Sequence, residues 1–149
     1  MRRNAQSVVF FLALFWVSLL AASPSPDGYW TMIDDKTGKP RVLVNVMVND
    51  GVLSGVIEDV YKQPGDKGFC SKCPGEFKDK PTQGLRFVWG LRESSPGLWD
   101  GGQILDPKTG KIYRVKMTIK SKKMYVRGYV GFSMLGRTQI WLRGKDVTF

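Results

Sequence analysis

From residue 28 onward the apolar side chains recur at every second position, and no window holds the period of a helix. Val42, Val44, Val46 and Val48 alternate with Leu43, Asn45 and Met47. Tyr113, Val115, Met117 and Ile119 alternate with Arg114, Lys116, Thr118 and Lys120. A period of two sends neighbouring side chains to opposite faces of a strand, so the second run has one buried and one wet face. The pattern predicts strands from Tyr29 to Ile33, Val42 to Val48, Val52 to Tyr61, Leu85 to Leu91, Leu98 to Leu105, Tyr113 to Lys120, Met124 to Val130 and Arg137 to Arg143. Asn49-Asp50-Gly51 supplies a hairpin turn between the second and third. Most connections are short, and parallel pairing would need crossover helices for which there is no room. The expected fold is all-β: a small antiparallel up-and-down barrel of about eight strands, with a sandwich as the other closed form.

Ahead of the strands, Arg2 and Arg3 precede an apolar run from Val8 to Ala22, followed by Ser23 and Pro24-Ser25-Pro26. A basic start, a short hydrophobic core and a small-residue exit match a secretory signal peptide over residues 1–23. The run of about 15 residues falls short of the roughly 20 that a spanning helix needs. The expectation is a periplasmic or secreted protein with a single domain over 24–149.

Composition narrows the chemistry. The 149 residues hold 23 Lys plus Arg, 13 Asp plus Glu and no histidine, a formal charge of +10. Without histidine there is no Ser-His-Asp or Cys-His nucleophile pair, no HExxH zinc site and no histidine pH switch. Glu58 and Asp59 are adjacent in a strand and are expected on opposite faces, which excludes a carboxylate dyad. Asp34 and Asp35 read as turn residues, leaving Glu76 as the one carboxylate to single out, with pairing to a lysine as its plain role. No catalytic residue, metal or cofactor is assigned, and the chain reads as non-enzymatic. Asp35-Lys36-Thr37-Gly38-Lys39 is echoed by Pro107-Lys108-Thr109-Gly110-Lys111, each after an aspartate. No serine has a lysine three residues on, as the Lys-Thr-Gly motif of penicillin-recognising enzymes would require. Gly38 and Gly110 instead suit left-handed positions in two similar hairpin loops. The positive charge with several aromatics fits nucleic acid binding in principle, but export argues against it, and an anionic envelope component is the better polar partner.

A long segment at about 62–84, rich in Pro and Gly, has no periodicity and holds the only cysteines, Cys70 and Cys73. Loops of this length in compact domains are functional or stapled. Three readings stand: a structural disulfide in an oxidising compartment, a redox pair activated by Lys67, Lys72 or Lys78, and a zinc site that would need carboxylates or a second chain.

Gly28-Tyr29-Trp30 at the start of the first strand resembles the G-x-W opening of lipocalin-type (calycin) barrels. The resemblance implies that Trp30 closes one end under a basic side chain from the last strand, Arg137 or Arg143. A fuller set of motifs runs along the chain: G-Y-W-T-M-I-D-D, G-V-L-S-G-V-I, C-S-K-C-P-G-E, G-L-x-x-x-W-G-L, G-G-Q-I-L-D-P-K-T-G-K-x-Y and R-G-Y-V-G-F-S-M-L-G-R-T-Q-I-W. Together they resemble the bacterial secreted domain-of-unknown-function family 2147, from about Gly28 to Arg143. That resemblance implies an exported calycin-like barrel with no established activity and no catalytic residue to carry over.

Arg137, Gln139 and Trp141 share one strand face. Facing inward, they form either a ligand floor or an Arg–Trp contact that closes the barrel. Trp30, Tyr113, Arg137, Gln139 and Trp141 are therefore the candidate ligand contacts, for a small hydrophobic or lipid-like molecule in the interior. The competing expectation is that Val44, Val46, Leu53, Ile57, Val115, Met117 and Ile119 fill the barrel completely. The protein would then be an envelope interaction protein acting through its basic surface, or a thiol-disulfide protein using Cys70 and Cys73.

Overall fold

The computed structural model describes residues 22–132, 134 and 136–146. The leader expected over residues 1–23 therefore lies outside the described residues, apart from Ala22 and Ser23. Among the described residues no helix is long and apolar enough to cross a membrane.

Eight strands form one closed antiparallel barrel in sequential order. They are β1 (Gly28–Ile33), β2 (Pro40–Asn49), β3 (Val52–Val60), β4 (Arg86–Ser95), β5 (Leu98–Leu105), β6 (Ile112–Lys120), β7 (Lys123–Tyr129) and β8 (Gly136–Arg143). Closure comes from β8 pairing back onto β1, where Trp30 faces Arg143 and Met32 faces Trp141. Closing the sheet leaves no free edge, which an isolated meander of this length could not manage. The turn after β2 places Asp50 and Gly51 at φ of 50° and 74°, the left-handed pair that Asp-Gly turns accommodate.

The up-and-down order sorts the connections. The β1–β2, β3–β4, β5–β6 and β7–β8 links lie at one end, here the loop end. The tight turns and the chain segments flanking the barrel lie at the other. The core is the inward row of each strand: Val44, Val46, Leu53, Ile57, Val115, Met117, Met124 and Val126 are all buried.

Of the register shifts among the strands, two bear on the residues considered above. The β2–β3 register slips between Leu43 and Val44, so that Asp59 faces Leu43, Ile57 faces Val44, and Glu58 stands between them as a bulge. Glu58 and Asp59 consequently both reach solvent instead of facing opposite sides. The β3–β4 register shifts on either side of Gly55. That shift lets the neighbours Phe87 and Val88 both be buried, which strict alternation forbids.

Candidate functional site

The barrel interior is divided. At the end away from the loops, Trp30 is fully buried and donates its Nε1–H to the carbonyl of Pro26 at 2.8 Å. The Arg143 guanidinium lies 4.2 Å from the indole ring centroid. Arg143 also donates to the carbonyl of Asp27 at 3.0 Å and to that of Ser25. Asp27 in turn accepts from the Val48 backbone N–H at 2.8 Å. A flat cation over an aromatic face, with its N–H groups spent on backbone carbonyls, seals this end and fixes the segment just before β1 beneath it.

Towards the loops the same interior opens into a cavity of about 400 Å³. Met32, Phe87, Ile104, Leu105, Tyr113 and Val126 give it an apolar wall, and Arg137, Gln139 and Asp106 are its polar members. The register explains the space. Val115, Gly128 and Arg137 are neighbours across β6, β7 and β8, and Met117, Val126 and Gln139 form the next row inward. Gly128 contributes no side chain to the outer row, and a Cβ there would meet only ordinary contacts, at 3.7 Å from Ile104 and Tyr113. Gly128 thus leaves a gap in this row that its neighbours do not close.

The rim is built from two matched turns and the long loop. Asp34 Oδ1 accepts from the backbone N–H groups of Lys36 and Thr37, both at 2.9 Å, and Gly38 N–H donates to the Asp34 carbonyl at 2.8 Å. Asp106 repeats the arrangement, accepting from Lys108 N–H and Thr109 Oγ1, both at 2.9 Å, with Gly110 N–H donating to its carbonyl at 2.8 Å. The N–H groups of Thr37 and Lys36 hold the Asp34 carboxyl below its ordinary value. Arg137 reaches from β8 to Asp35 in the first turn, its Nε–H donating to Oδ2 at 2.6 Å.

Cys70 and Cys73 are joined as a disulfide, the first of the three readings of the pair. The loop around them is ordered by its own hydrogen bonds: Cys70 N–H to the Lys80 carbonyl at 2.8 Å, Asp79 N–H to the Cys70 carbonyl at 3.0 Å, and Thr82 N–H to the Gly68 carbonyl at 3.0 Å. Asp66 anchors its start, receiving Arg41 Nη1 at 2.8 Å and Nη2 at 2.6 Å together with Gln63 N–H at 2.8 Å. That Arg41 contact holds the Asp66 carboxyl below its ordinary value. Phe77 stacks on Trp89 with centroids 5.5 Å apart. The disulfide turn packs on the second rim turn so closely that a Cβ on Gly110 would fall 1.9 Å from the Lys72 carbonyl oxygen.

Of the five candidate ligand contacts, Tyr113, Arg137 and Gln139 come together in the cavity wall. Trp141 sits one inward step deeper on β8, fully buried and stacked on Phe87 at 5.9 Å, and among the described residues its Nε1–H finds no acceptor. Trp30 lies at the sealed end, and of the two arginines considered for its cover, Arg143 takes the place while Arg137 serves the rim. Met32, Phe87, Ile104 and Val126 belong to the cavity without having been singled out in the sequence. Met32 was within reach, since it follows Trp30 by two on one strand face. Phe87 was not, because its orientation follows from the β3–β4 register shift.

Among curated proteins, none matches the sequence. A solved structure, described as protein HP1028 from the human pathogen Helicobacter pylori and as belonging to the lipocalin family, is similar with a TM-score of 0.70. The identity is 18%, over 82% of this chain and 84% of that one, so the likeness is one of fold. The barrel and its sequential strand order are thus lipocalin-like. Over residues 28–143 the sequence matches the family model described as "Uncharacterized protein conserved in bacteria (DUF2147)", and the chain belongs to that family.

Proposed function

We propose that this protein is an exported, non-enzymatic barrel that holds a small hydrophobic or lipid-like ligand in the loop half of its interior. The division of that interior carries the reading. One half is packed to its Trp30 seal, while the other keeps about 400 Å³ behind an apolar wall, within the roughly 300–1,000 Å³ typical of ligand sites. Arg137 and Gln139 at the mouth would meet a polar head group, and Tyr113, Phe87 and Met32 the apolar body. Trp30 and Trp141 would hold the walls in place and not touch the ligand through their sealed faces. Asp106, the carboxylate of the cavity, spends its oxygens on its own turn and is poorly placed as an acid or base. The disulfide supports an oxidising compartment. A thiol-disulfide role is disfavoured because both cysteines are buried, whereas exchange requires a sulfur open to attack.

Native mass spectrometry of protein purified from the producing cell without reductant tests the reading. The expected spectrum shows an added mass that leaves on denaturation, absent from a Gly128→Leu variant of unchanged fold. A ligand-free wild-type spectrum, with no uptake from added fatty acids or phospholipids, would refute ligand binding.

A further inference from the structure

The most exposed of the large apolar side chains lie at the loop end, whereas Met47 and Ile140, exposed to a lesser degree, lie elsewhere. Between β7 and β8, Val130, Phe132 and Met134 are 66%, 78% and 87% exposed. Phe69 on the disulfide loop and Ile112 at the start of β6 are exposed at the same end. Isolated exposed hydrophobics are ordinary on protein surfaces, but a cluster of this kind marks a contact surface.

Phe69 also lines a second concavity of about 460 Å³, between the disulfide loop and the loop-end residues Arg41, Asp59 and Val60 of β2 and β3. Lys62, Lys67, Lys72 and Lys108 line it, and Pro107 lines both this cleft and the barrel cavity, so the two openings are neighbours. Five carboxylates at this end are engaged within the fold. Asp66 is held by Arg41, Asp34 and Asp106 cap their own turns, Asp35 receives Arg137, and Asp59 accepts its neighbour's N–H. Among the described residues no ion pair engages those four lysines.

We propose that the loop end docks on an anionic lipid bilayer, with Phe132 and Met134 entering the interfacial region and the lysines of the adjacent cleft meeting head groups. Apolar insertion and electrostatic attraction are the two components of peripheral membrane binding, and this surface presents both side by side. A second copy of the chain is a poor occupant, because a two-fold contact through this end would bring the same lysines against each other. Docked in this way, the cavity mouth would face the membrane. The docking does not depend on a loaded cavity. It is measured on protein stripped of ligand, so either proposal can fail without the other.

The test is co-sedimentation with vesicles of phosphatidylcholine alone and of phosphatidylcholine with phosphatidylglycerol. Wild type and Phe132→Asp/Met134→Asp carry the same N-terminus, so the apolar run of residues 8–22 cancels in the comparison. Wild type is expected to bind the phosphatidylglycerol vesicles and to leave them at high salt. The double variant should bind at least about ten-fold more weakly with an unchanged melting temperature, and Lys72→Glu/Lys108→Glu weaker by a similar factor. A Phe132→Trp variant adds an independent readout, an emission shift to the blue on the same vesicles. Equal binding to both vesicle types, equal binding by the double variant, or no emission shift would overturn the proposal. So would a lipid-free dimer that the double variant abolishes, since the cluster would then cover a second copy.

Discussion

The two ends of this barrel are made from the same strands and differ in almost everything else. At the sealed end an aromatic ring, a cation stacked on it and the backbone of the preceding segment leave no space and little unsatisfied polarity. At the loop end the inward rows continue, but Gly128 omits a side chain, Arg137 turns outward to Asp35, and the interior stays open. The difference teaches that tight packing and open volume are assigned to opposite ends of one hydrophobic core. The sealed half can be optimised for packing because the other half carries the opening.

The largest effect is expected at the seal. Trp30→Ala removes the stacked ring and the bond to Pro26, and should cost about 3–5 kcal/mol in urea unfolding. A loss below about 1 kcal/mol would mean that the seal does not bear on stability and that the contrast between the ends is overstated.

The rim sharpens the contrast within one end, since its two turns share sequence and hydrogen bonds. Gly38 and Gly110 sit at φ of 70° and 75°, so both resist a side chain. Gly38 has nothing within 4 Å of a would-be Cβ, however, whereas Gly110 faces the Lys72 carbonyl. Gly38→Ala should cost about 1 kcal/mol from left-handed strain alone. Gly110→Ala should cost about 3 kcal/mol, because it also pushes the disulfide loop off the rim. Equal melting temperatures for the two variants would show that the loop does not rest on the second turn.

The strand glycines repeat the comparison across the interior. A Cβ on Gly55 would already meet Val44 at 3.3 Å, whereas Gly128 opens on the cavity. Gly55→Leu should therefore overpack the core by about 2 kcal/mol, while Gly128→Leu should change stability by less than about 1 kcal/mol. Thermal unfolding of both variants reads the difference directly, and the reverse order would place the free volume in the wrong half.

The smallest effect concerns the anchor of the disulfide loop. Asp66 is held below its ordinary value near 3.8 by Arg41, so its contribution is fully present above that value and is lost as pH falls below it. Asp66→Asn should cost about 1 kcal/mol at pH 7 and proportionally less at pH 3. A stability difference between the two proteins that does not change between these pH values would exclude the ion pair as its cause.

Much of this architecture is legible in the residues. The alternation in Tyr113–Ile119, the Asp50-Gly51 turn and the paired Lys-Thr-Gly turns each appear where the pattern places them, because each depends on local backbone preference or on a period of two. The inward face of β8 is legible for the same reason, and with it Arg137 and Gln139 at the cavity. The bulge at Glu58, the burial of both Phe87 and Val88, and the choice of Arg143 over Arg137 to cover Trp30 are not. Each is settled by register between strands far apart in the chain, to which no short window of sequence has access.

By itself, then, the sequence determined an all-β chain of sequential hairpins with a tryptophan near its start, its only cysteines in one long loop, and no histidine for catalysis. Those properties are carried by composition and by neighbours within a few residues. Which half of the barrel is filled, which arginine seals it, and that five exposed apolar side chains and the four lysines of the cleft share one end were decided only by tertiary structure. Closing the barrel fixes which residues share a level across eight strands, and cavity, seal and surface are all properties of that shared level.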